Sequence, residues 1–262
     1  MHISLKFFEN IGGTLMSILS VALVIAVGFC SGFLNVLAGG GSLLTIPLLV
    51  FMGLDVSVAN ATNRVGVLFQ NVFAAQHFHK KSLFRLKDCL FFGLPSLLGA
   101  ALGTFGAVSL DERYLRIAVA VLICCMAVLL VLKPDMWERE REISLPRWVL
   151  ILAMFLIGVY GGFIQAGVGF FLLWALVGLG GKDLLHANAL KVVVIAMFTT
   201  LSLAIFLLNG MVNFPLGVVL AIGNFMGGIA GAHFAILKGN RWLRLILSVV
   251  VTVSAIRMLL SL

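Results

Sequence analysis

Long apolar segments follow one another through almost the whole chain, and no other feature constrains its fold as strongly. Cut at charged or turn-rich points, the sequence gives ten of them, at residues 14–31, 42–53, 56–78, 88–109, 112–133, 147–161, 170–180, 184–208, 214–237 and 241–261. Hydrophobic residues make up 62% of the chain and charged residues 11%, a composition far outside that of a soluble domain. The sequence therefore predicts an all-α membrane protein that crosses the bilayer many times, in which the segments 42–53 and 170–180 are too short to span.

The second half of the chain repeats the first. At an offset of 128 residues, the matches are Gly39 and Gly41 with Gly167 and Gly169, residues 59–61 with 187–189, Gly99 and Gly103 with Gly227 and Gly231, and residues 113–116 with 241–244. Upstream, at an offset of 130, Gly32, Phe33 and Asn35 match Gly162, Phe163 and Gln165. We therefore divide the chain into a first transmembrane repeat at 14–133, a cytoplasmic linker at 134–146 and a second transmembrane repeat at 147–262. Internal symmetry of this kind is typical of secondary transporters.

The distribution of lysine and arginine favours an inverted relation between the two repeats. If the short second segment of each repeat completes a crossing, the repeats have opposite orientations; if it returns the chain to the same side, they are parallel, with four spans each. Of the 16 basic residues outside the spans, the inverted arrangement places 12 on one side and 4 on the other, and the parallel arrangement places 10 and 6. Because cytoplasmic loops collect Lys and Arg, we predict inverted repeats with the linker in the cytoplasm and both termini outside.

Three consecutive glycines, residues 39–41, interrupt an apolar stretch of the first repeat. Glycine in a helix interior costs about 1 kcal/mol relative to alanine. We therefore expect the first span to end at Ser31, the chain to turn at Gly32, and a half-helix to start at Gly41 or Ser42 inside the bilayer. Such a start presents unpaired N–H groups and about half a positive charge, which favours an anion.

The glycine pattern recurs at Gly167 and Gly169 in the second repeat, and a polar residue lies beside it in both halves, Asn35 in the first and Gln165 in the second. Glycines can also serve only to let helices pack closely. The recurrence of glycines and polar residues together favours a binding site over packing alone.

Two basic residues lie deep inside apolar segments at similar positions of the two repeats, Arg64 and Lys191. An ionisable side chain at that depth costs about 2.5–3.5 kcal/mol. All ten acidic residues lie in loops or at segment ends, so no carboxylate within the membrane can pair with these cations. Two cations and two helix N-termini predict an anion site, and the predicted substrate-binding residues are Asn35, Gly39, Gly40, Gly41, Ser42, Asn60, Asn63, Arg64, Gln165, Gly167, Gly169, Asn188 and Lys191.

With the pattern GFLNVLAGGGSLLTIPLL, followed by ANATNR and echoed by GFIQAGVG and HANALK, the sequence resembles the TauE/SafE family of sulfite and organosulfonate exporters. The resemblance covers nearly the whole chain. It implies a multi-pass permease of the bacterial inner membrane that exports sulfur-containing or related organic anions.

Two other functions are compatible with a multi-pass membrane protein, an intramembrane enzyme and an anion channel. An intramembrane serine protease would need glycine two residues before its serine and directly after it, but Phe29 precedes Ser31 at that distance and Leu43 follows Ser42; no HExxH zinc motif occurs either. An enzyme is therefore not expected. An anion channel remains an alternative function, because a carrier and a channel differ in their gating, which no sequence pattern reports.

The partners that the sequence predicts are a small anionic substrate and the lipid bilayer. The formal net charge of +8 belongs to loops that flank spans, which indicates membrane orientation rather than nucleic-acid binding. Neither a metal nor a cofactor is predicted, and a homo-oligomer is left open.

Overall fold

This computed structural model describes residues 18–109 and 146–259, and all the regular secondary structure in these ranges is helical. The helices are α1 (Ile18–Leu37), α2 (Ser42–Phe51), α3 (Val56–His79), α4 (Leu86–Ser109), α5 (Arg147–Phe163), α6 (Val168–Leu173), α7 (Leu184–Leu208) and α8 (Phe214–Leu259). A π-helical stretch, Trp174–Leu179, continues α6, and α8 bends at Gly239. Within the described ranges, α1, α4, α7 and residues 214–243 of α8 are long and apolar enough to cross a membrane. The prediction of an all-α membrane protein with several spans is confirmed.

Four predicted features lie wholly or partly outside the described residues. They are residues 14–17 of the first segment, the segment 112–133, the linker 134–146 except for its last residue, and residues 260–261 of the last segment. The division of the chain into two repeats and a linker therefore stays a prediction.

The first helix is longer than predicted. Because α1 continues through Gly32 to Leu37, the prediction that the span ends at Ser31 and turns at Gly32 was wrong. Gly32 is a packing position instead, since a Cβ built on it would lie 2.3 Å from the main-chain oxygen of Asn224 in α8. A glycine that admits a neighbouring backbone does not break the helix that contains it.

The chain turns back at residues 38–41, and α2 then runs antiparallel to α1. The start of α2 lies beside the second half of α1, because a Cβ built on Gly41 would lie 2.1 Å from the Ser31 oxygen. Further along, Leu49 of α2 and Val24 of α1 belong to one apolar cluster. The half-helix thus begins at Ser42, as predicted, and returns toward the end from which α1 came.

Helix α3 occupies the centre of the bundle and packs against α8 and α7. Its buried residues include an unusual number of polar side chains: Asn60, Thr62, Asn63, Arg64, Gln70 and Asn71. Polar groups at membrane depth are tolerated where protein surrounds them. By contrast, α4 exposes an apolar stripe at helical spacing, which comprises Leu90, Leu94, Leu98, Leu102 and Phe105 and suits contact with lipid.

Glycines bring two pairs of helices into backbone contact. Cβ atoms built on Gly99 and Gly103 of α4 would lie 2.0 and 1.9 Å from main-chain oxygens of α5. Those built on Gly223 and Gly227 of α8 would lie 2.2 and 2.0 Å from main-chain oxygens of α1. In each pair, a contact four residues further along one helix lies four residues further along the other, so the two helices of a pair run parallel. Close approach through small residues is typical of helix pairs in membranes.

The register of the glycine contacts differs by one helical turn between the two helix pairs. Gly162 of α5 lies against the oxygen of Ala100, and the matching Gly32 of α1 lies against that of Asn224. In the sequence repeat, however, Ala100 corresponds to Gly228, four residues further along α8. The first repeat has two more residues before its glycines than the second, and α1 continues past the position at which α5 ends, so the two halves cannot pack identically here.

Contacts between helix ends gather several basic residues at one end of the bundle. Lys182 Nζ lies 2.9 Å from Asp88 Oδ2, so the α6–α7 connection meets the start of α4, beside the basic residues 80–87. At the same end, the ring centroids of His77 and His233 lie 5.7 Å apart. The inverted arrangement requires Lys182 and residues 80–87 to share a side, whereas the parallel arrangement separates them. The inverted relation stays a prediction, which these contacts support, and we call this end of the bundle the basic end.

Candidate functional site

The two glycine-interrupted segments touch each other inside the protein. A Cβ built on Gly169, in the first turn of α6, would lie 2.3 Å from the Cα of Gly39, and one built on Gly39 would lie 2.4 Å from the Cα of Gly169. Both glycines are buried. Main chains approach so closely only where neither residue has a side chain. The contact brings the beginnings of α2 and α6 together.

The turn before each of these helices contains one glycine with a positive φ. Gly39 has a φ of 92° and its repeat partner Gly167 a φ of 76°, both in the left-handed region that favours glycine. Gly40 and Gly41 complete the first turn, and Gly41 is the residue before α2. Main-chain N–H groups at the start of both helices therefore lie close to the Gly39–Gly169 contact.

Asn63 of α3 holds the start of α2 through its side-chain amide. Its Nδ2 donates to Ser42 Oγ at 3.0 Å, and its Oδ1 accepts from Thr45 Oγ1 at 2.6 Å. All three residues are at most 1% exposed. Hydrogen bonds that satisfy buried polar groups on both partners fix their relative position.

We expect Asn63→Leu to lower the free energy of unfolding by about 1–3 kcal/mol, because it leaves the hydroxyls of Ser42 and Thr45 without their partner. In thermal or denaturant unfolding of the purified protein, Asn63→Leu and Thr45→Val together should cost less than the sum of the single changes. Thr200→Val is the control, since the Thr200 hydroxyl donates only to Ala196 within its own helix. Strictly additive effects would show that the hydrogen bond contributes nothing.

Lys191 of α7 caps the C-terminal end of α1. Its Nζ donates to the main-chain oxygens of Asn35 at 3.0 Å and Val36 at 2.8 Å, and the side chain is 0% exposed. The last carbonyl groups of a helix have no partner within it and form the negative end of its dipole. The buried ammonium group of Lys191 supplies both hydrogen-bond donors for these carbonyl groups and a positive charge at the negative end of the dipole.

Arg64 of α3 makes the corresponding contact with the C-terminal end of α5. Its Nη1 donates to the oxygen of Gly161 at 3.1 Å and its Nη2 to that of Gly162 at 2.6 Å, and the side chain is 0% exposed. Its guanidinium carbon also lies 4.9 Å from the ring centre of Phe206, within the range of a cation–π contact. Each buried cation therefore binds the first helix of the other predicted repeat.

Several predicted site residues keep polar atoms without a protein partner. Asn60 Nδ2 donates to the oxygen of Phe163 at 2.9 Å, and Gln165 Nε2 donates to Thr199 Oγ1 at 2.6 Å. The other amide atoms of these two residues, both amide atoms of Asn188 and the Nε of Arg64 are buried and have no hydrogen-bond partner among the described residues. Buried polar atoms without partners are uncommon in folded proteins, and each of them calls for an explanation such as a bound water or ion.

The structure thus connects most of the predicted residues by direct contacts. Asn35 is linked to Lys191, Ser42 to Asn63, and Gly39 to Gly169. Arg64 and Asn60 bind the end of α5, directly before Gln165 and Gly167. Asn188 lies on α7, one turn before Lys191, and its side-chain amide makes no hydrogen bond to any of the described residues.

Three threonine and tyrosine side chains take part that no sequence pattern identified. Thr45 binds Asn63, Thr199 binds Gln165, and Tyr160 donates to the main-chain oxygen of Ala166. Each is a polar residue inside an apolar segment, which is the signal that could have found them, but Thr and Tyr are common enough in spans that the signal is weak. Within residues 18–109 and 146–259, no three His, Cys, Asp or Glu side chains lie close enough to hold a metal ion.

Comparison with known proteins gives a consistent result. The family model described as sulfite exporter TauE/SafE matches residues 24–258. A probable membrane transporter protein of Haemophilus influenzae is 30% identical over 86% of this chain and 88% of its own length. The probable membrane transporter proteins ORF9 of a Sinorhizobium species and YfcA of Escherichia coli K12 are 28% and 27% identical, over 91% and 94% of this chain and 92% and 91% of their own lengths. No solved structure matches the chain.

Proposed function

Because the chain belongs to the sulfite exporter TauE/SafE family of bacterial membrane transporters, we propose that it is a secondary transporter that exports small sulfur-containing or organic oxyanions such as sulfite or sulfonates. The observation on which the proposal rests is the Gly39–Gly169 contact, which joins two helix beginnings in the interior. The substrate would bind beside this contact, at the helix beginnings formed by residues 39–42 and 167–169.

The charges around this contact favour an anion. Each helix beginning contributes about +0.5 charge, and each helix end that Arg64 or Lys191 caps contributes about −0.5. When both side chains are protonated, each cation exceeds the partial charge of its helix end by about half a charge. The described part of the chain has three acidic residues, Asp55, Asp88 and Asp183, and all of them lie at helix ends outside the buried interior. Among the described residues, no carboxylate lies in the buried interior to neutralise this positive potential, which favours a bound anion.

Free donors among the predicted site residues also suit an oxyanion. The Nδ2 of Asn188 and the Nε of Arg64 are buried N–H groups with no acceptor among the described residues, and an ionised oxygen accepts strong, charge-assisted hydrogen bonds. The free oxygens of Asn60 and Gln165 would accept from a hydroxyl of a partly protonated substrate or from water. Alternating access would follow from one group of helices moving against the other around the Gly39–Gly169 contact.

We expect sulfite or a sulfonate to raise the melting temperature of the detergent-purified protein. A ligand at 100 times its dissociation constant stabilises the folded state by about 2.7 kcal/mol, and about 1 kcal/mol corresponds to roughly 2–4 °C in a protein of this size. The screen includes sulfite, thiosulfate, sulfate, sulfoacetate, taurine and simple carboxylates, with chloride at equal ionic strength as the control. If no oxyanion gives a larger shift than chloride, the proposed substrate class is wrong.

Counterflow in proteoliposomes separates the transporter from an anion channel, the alternative function. A transporter loaded with unlabelled sulfite should accumulate labelled sulfite transiently and with saturation. Ohmic anion currents without counterflow would favour the channel instead.

A further inference from the structure

A cavity of about 520 Å³ opens at the basic end, between the α3–α4 loop and the α6–α7 connection. The residues that matter for its chemistry are Arg85, Asp88, Lys182, Asp183, His186 and Leu190. Its volume lies in the range of small-molecule binding sites. No part of the predicted central site lines it, so it needs its own explanation.

Both carboxylates of the cavity are already occupied. Asp88 accepts from Lys182 Nζ at 2.9 Å, with both side chains about one third exposed. Asp183 accepts from the main-chain N–H groups of Leu185 and His186 at 3.0 and 3.2 Å and also contacts His186 Nδ1. Burial raises the pKa of Asp183. These hydrogen bonds and the charge of His186 together lower the pKa by more than burial raises it, so the pKa lies below its ordinary value. This carboxylate stays ionised and committed to the start of α7.

Arg85 is a basic residue of the cavity that neither carboxylate binds. Its side chain is exposed, and within the described residues it makes no ion pair or hydrogen bond. Lys182 uses one of its three N–H groups on Asp88 and has others free. A cavity with two occupied carboxylates and one unpaired guanidinium favours a ligand with negative charge.

The cavity leads from the basic end toward the central site. Leu190 contributes to its lining and is 1% exposed. Along α7, Leu190 lies seven residues from Asp183, which is roughly 10 Å at 1.5 Å per residue. The next residue is Lys191, whose amine binds the end of α1. The floor of the cavity therefore reaches the depth of a buried cation of the central site.

We propose that this cavity is a vestibule that collects the oxyanion at the basic end before it reaches the central site, and that Arg85 is the residue that first binds it. The proposal rests on the proposed function for the identity of the ligand. The basic end is the cytoplasmic one in the predicted orientation, so an exporter would load from this cavity. Lys182 and Asp88 join the two predicted repeats at its edge, and a movement of one repeat against the other would change this ion pair.

The vestibule can be tested without a transport assay, through the reactivity of a cysteine placed at its floor. In a variant with its four cysteines replaced by alanine, Leu190→Cys is exposed to an anionic and a cationic methanethiosulfonate reagent of similar size. We expect the anionic reagent to react several times faster than the cationic one. Arg85→Gln should reduce this ratio severalfold, whereas Lys80→Gln, an exposed change in the same loop that does not line the cavity, should leave it nearly unchanged. No reaction with either reagent, or an equal effect of both substitutions, would overturn the proposal.

Transport kinetics test whether sulfite is the ligand that the vestibule collects. In proteoliposomes, Arg85→Gln should raise the KM for sulfite supplied from the basic end about three- to tenfold, with kcat and the sulfite-induced thermal shift unchanged, and the difference should shrink at high salt. If the wild type transports sulfite and Arg85→Gln has the same KM as Lys80→Gln, the vestibule is wrong and the proposed function stands. If the wild type neither binds nor transports any oxyanion, the proposed function is wrong, and the identity of the vestibule ligand with it.

Discussion

Alanine in place of Gly39 is expected to abolish transport and to destabilise the protein by about 3 kcal/mol or more. The added Cβ would lie 2.4 Å from the Cα and 2.5 Å from the carbonyl carbon of Gly169, and neither backbone can move without separating α2 from α6. Overpacking alone costs about 1–3 kcal/mol. The φ of 92° at Gly39 adds about 1–2 kcal/mol for a residue with a side chain.

Two further alanine variants separate the steric effect from the conformational one. Gly169→Ala places a Cβ 2.3 Å from the Cα of Gly39 at a position without a positive φ, so it tests the clash alone. Gly53→Ala has a φ of 95° but no atom within 4 Å of the added Cβ, so it tests the backbone strain alone. Gly53→Ala should cost only the backbone strain of about 1–2 kcal/mol and keep sulfite counterflow, whereas Gly169→Ala should resemble Gly39→Ala in both thermal unfolding and counterflow. If Gly53→Ala is as damaging as Gly169→Ala, the contact between the two segments is not what matters.

The sequence allowed the helical elements to be predicted well because the bilayer leaves few choices for them. A span needs about 20 apolar residues, and a charged or turn-rich stretch ends it. The half-helix at Ser42–Phe51 was predicted within two residues, as residues 42–53. Gly32 was misread as a turn, because a glycine that lets another helix approach and a glycine that ends a helix look the same in one sequence. Which of them is present depends on Asn224, nearly 200 residues away.

The residues of the candidate site could be predicted from the sequence, but the hydrogen bonds that they make could not. Arg64 and Lys191 stood out because ionisable residues are costly inside a membrane. Their partners did not, because a sequence shows which carboxylates could pair with a cation, whereas the structure supplies main-chain oxygens of α5 and α1 instead. Main-chain acceptors are present at every residue and leave no trace in the sequence. Only the packing of α3 and α7 against those helix ends identifies them.

The second large effect is expected at Lys191, where the capping of α1 and the binding of an anion can be measured separately. Lys191→Met removes the donor from the oxygens of Asn35 and Val36. Since an unsatisfied buried acceptor costs about 1–3 kcal/mol, we expect a loss of roughly 2–4 kcal/mol in the free energy of unfolding. Lys191→Gln keeps N–H donors without the charge and should recover part of this stability. Lys191→Arg keeps both the donors and the charge.

The response to sulfite then decides what the charge of Lys191 does. If the cation balances the charge of a bound anion, sulfite affinity should fall about tenfold or more in Lys191→Gln, which corresponds to about 1.4 kcal/mol, and should largely persist in Lys191→Arg. Melting temperatures measured across a series of sulfite concentrations give these affinities for each folded variant. A Lys191→Gln protein that is stabilised by sulfite as strongly as the wild type would show that Lys191 only caps α1. The same comparison at Arg64, with Arg64→Gln and Arg64→Lys, tests the cap on α5. If both sites behave as caps alone, the positive charge that favours an oxyanion would come only from the beginnings of α2 and α6, which together supply about one charge.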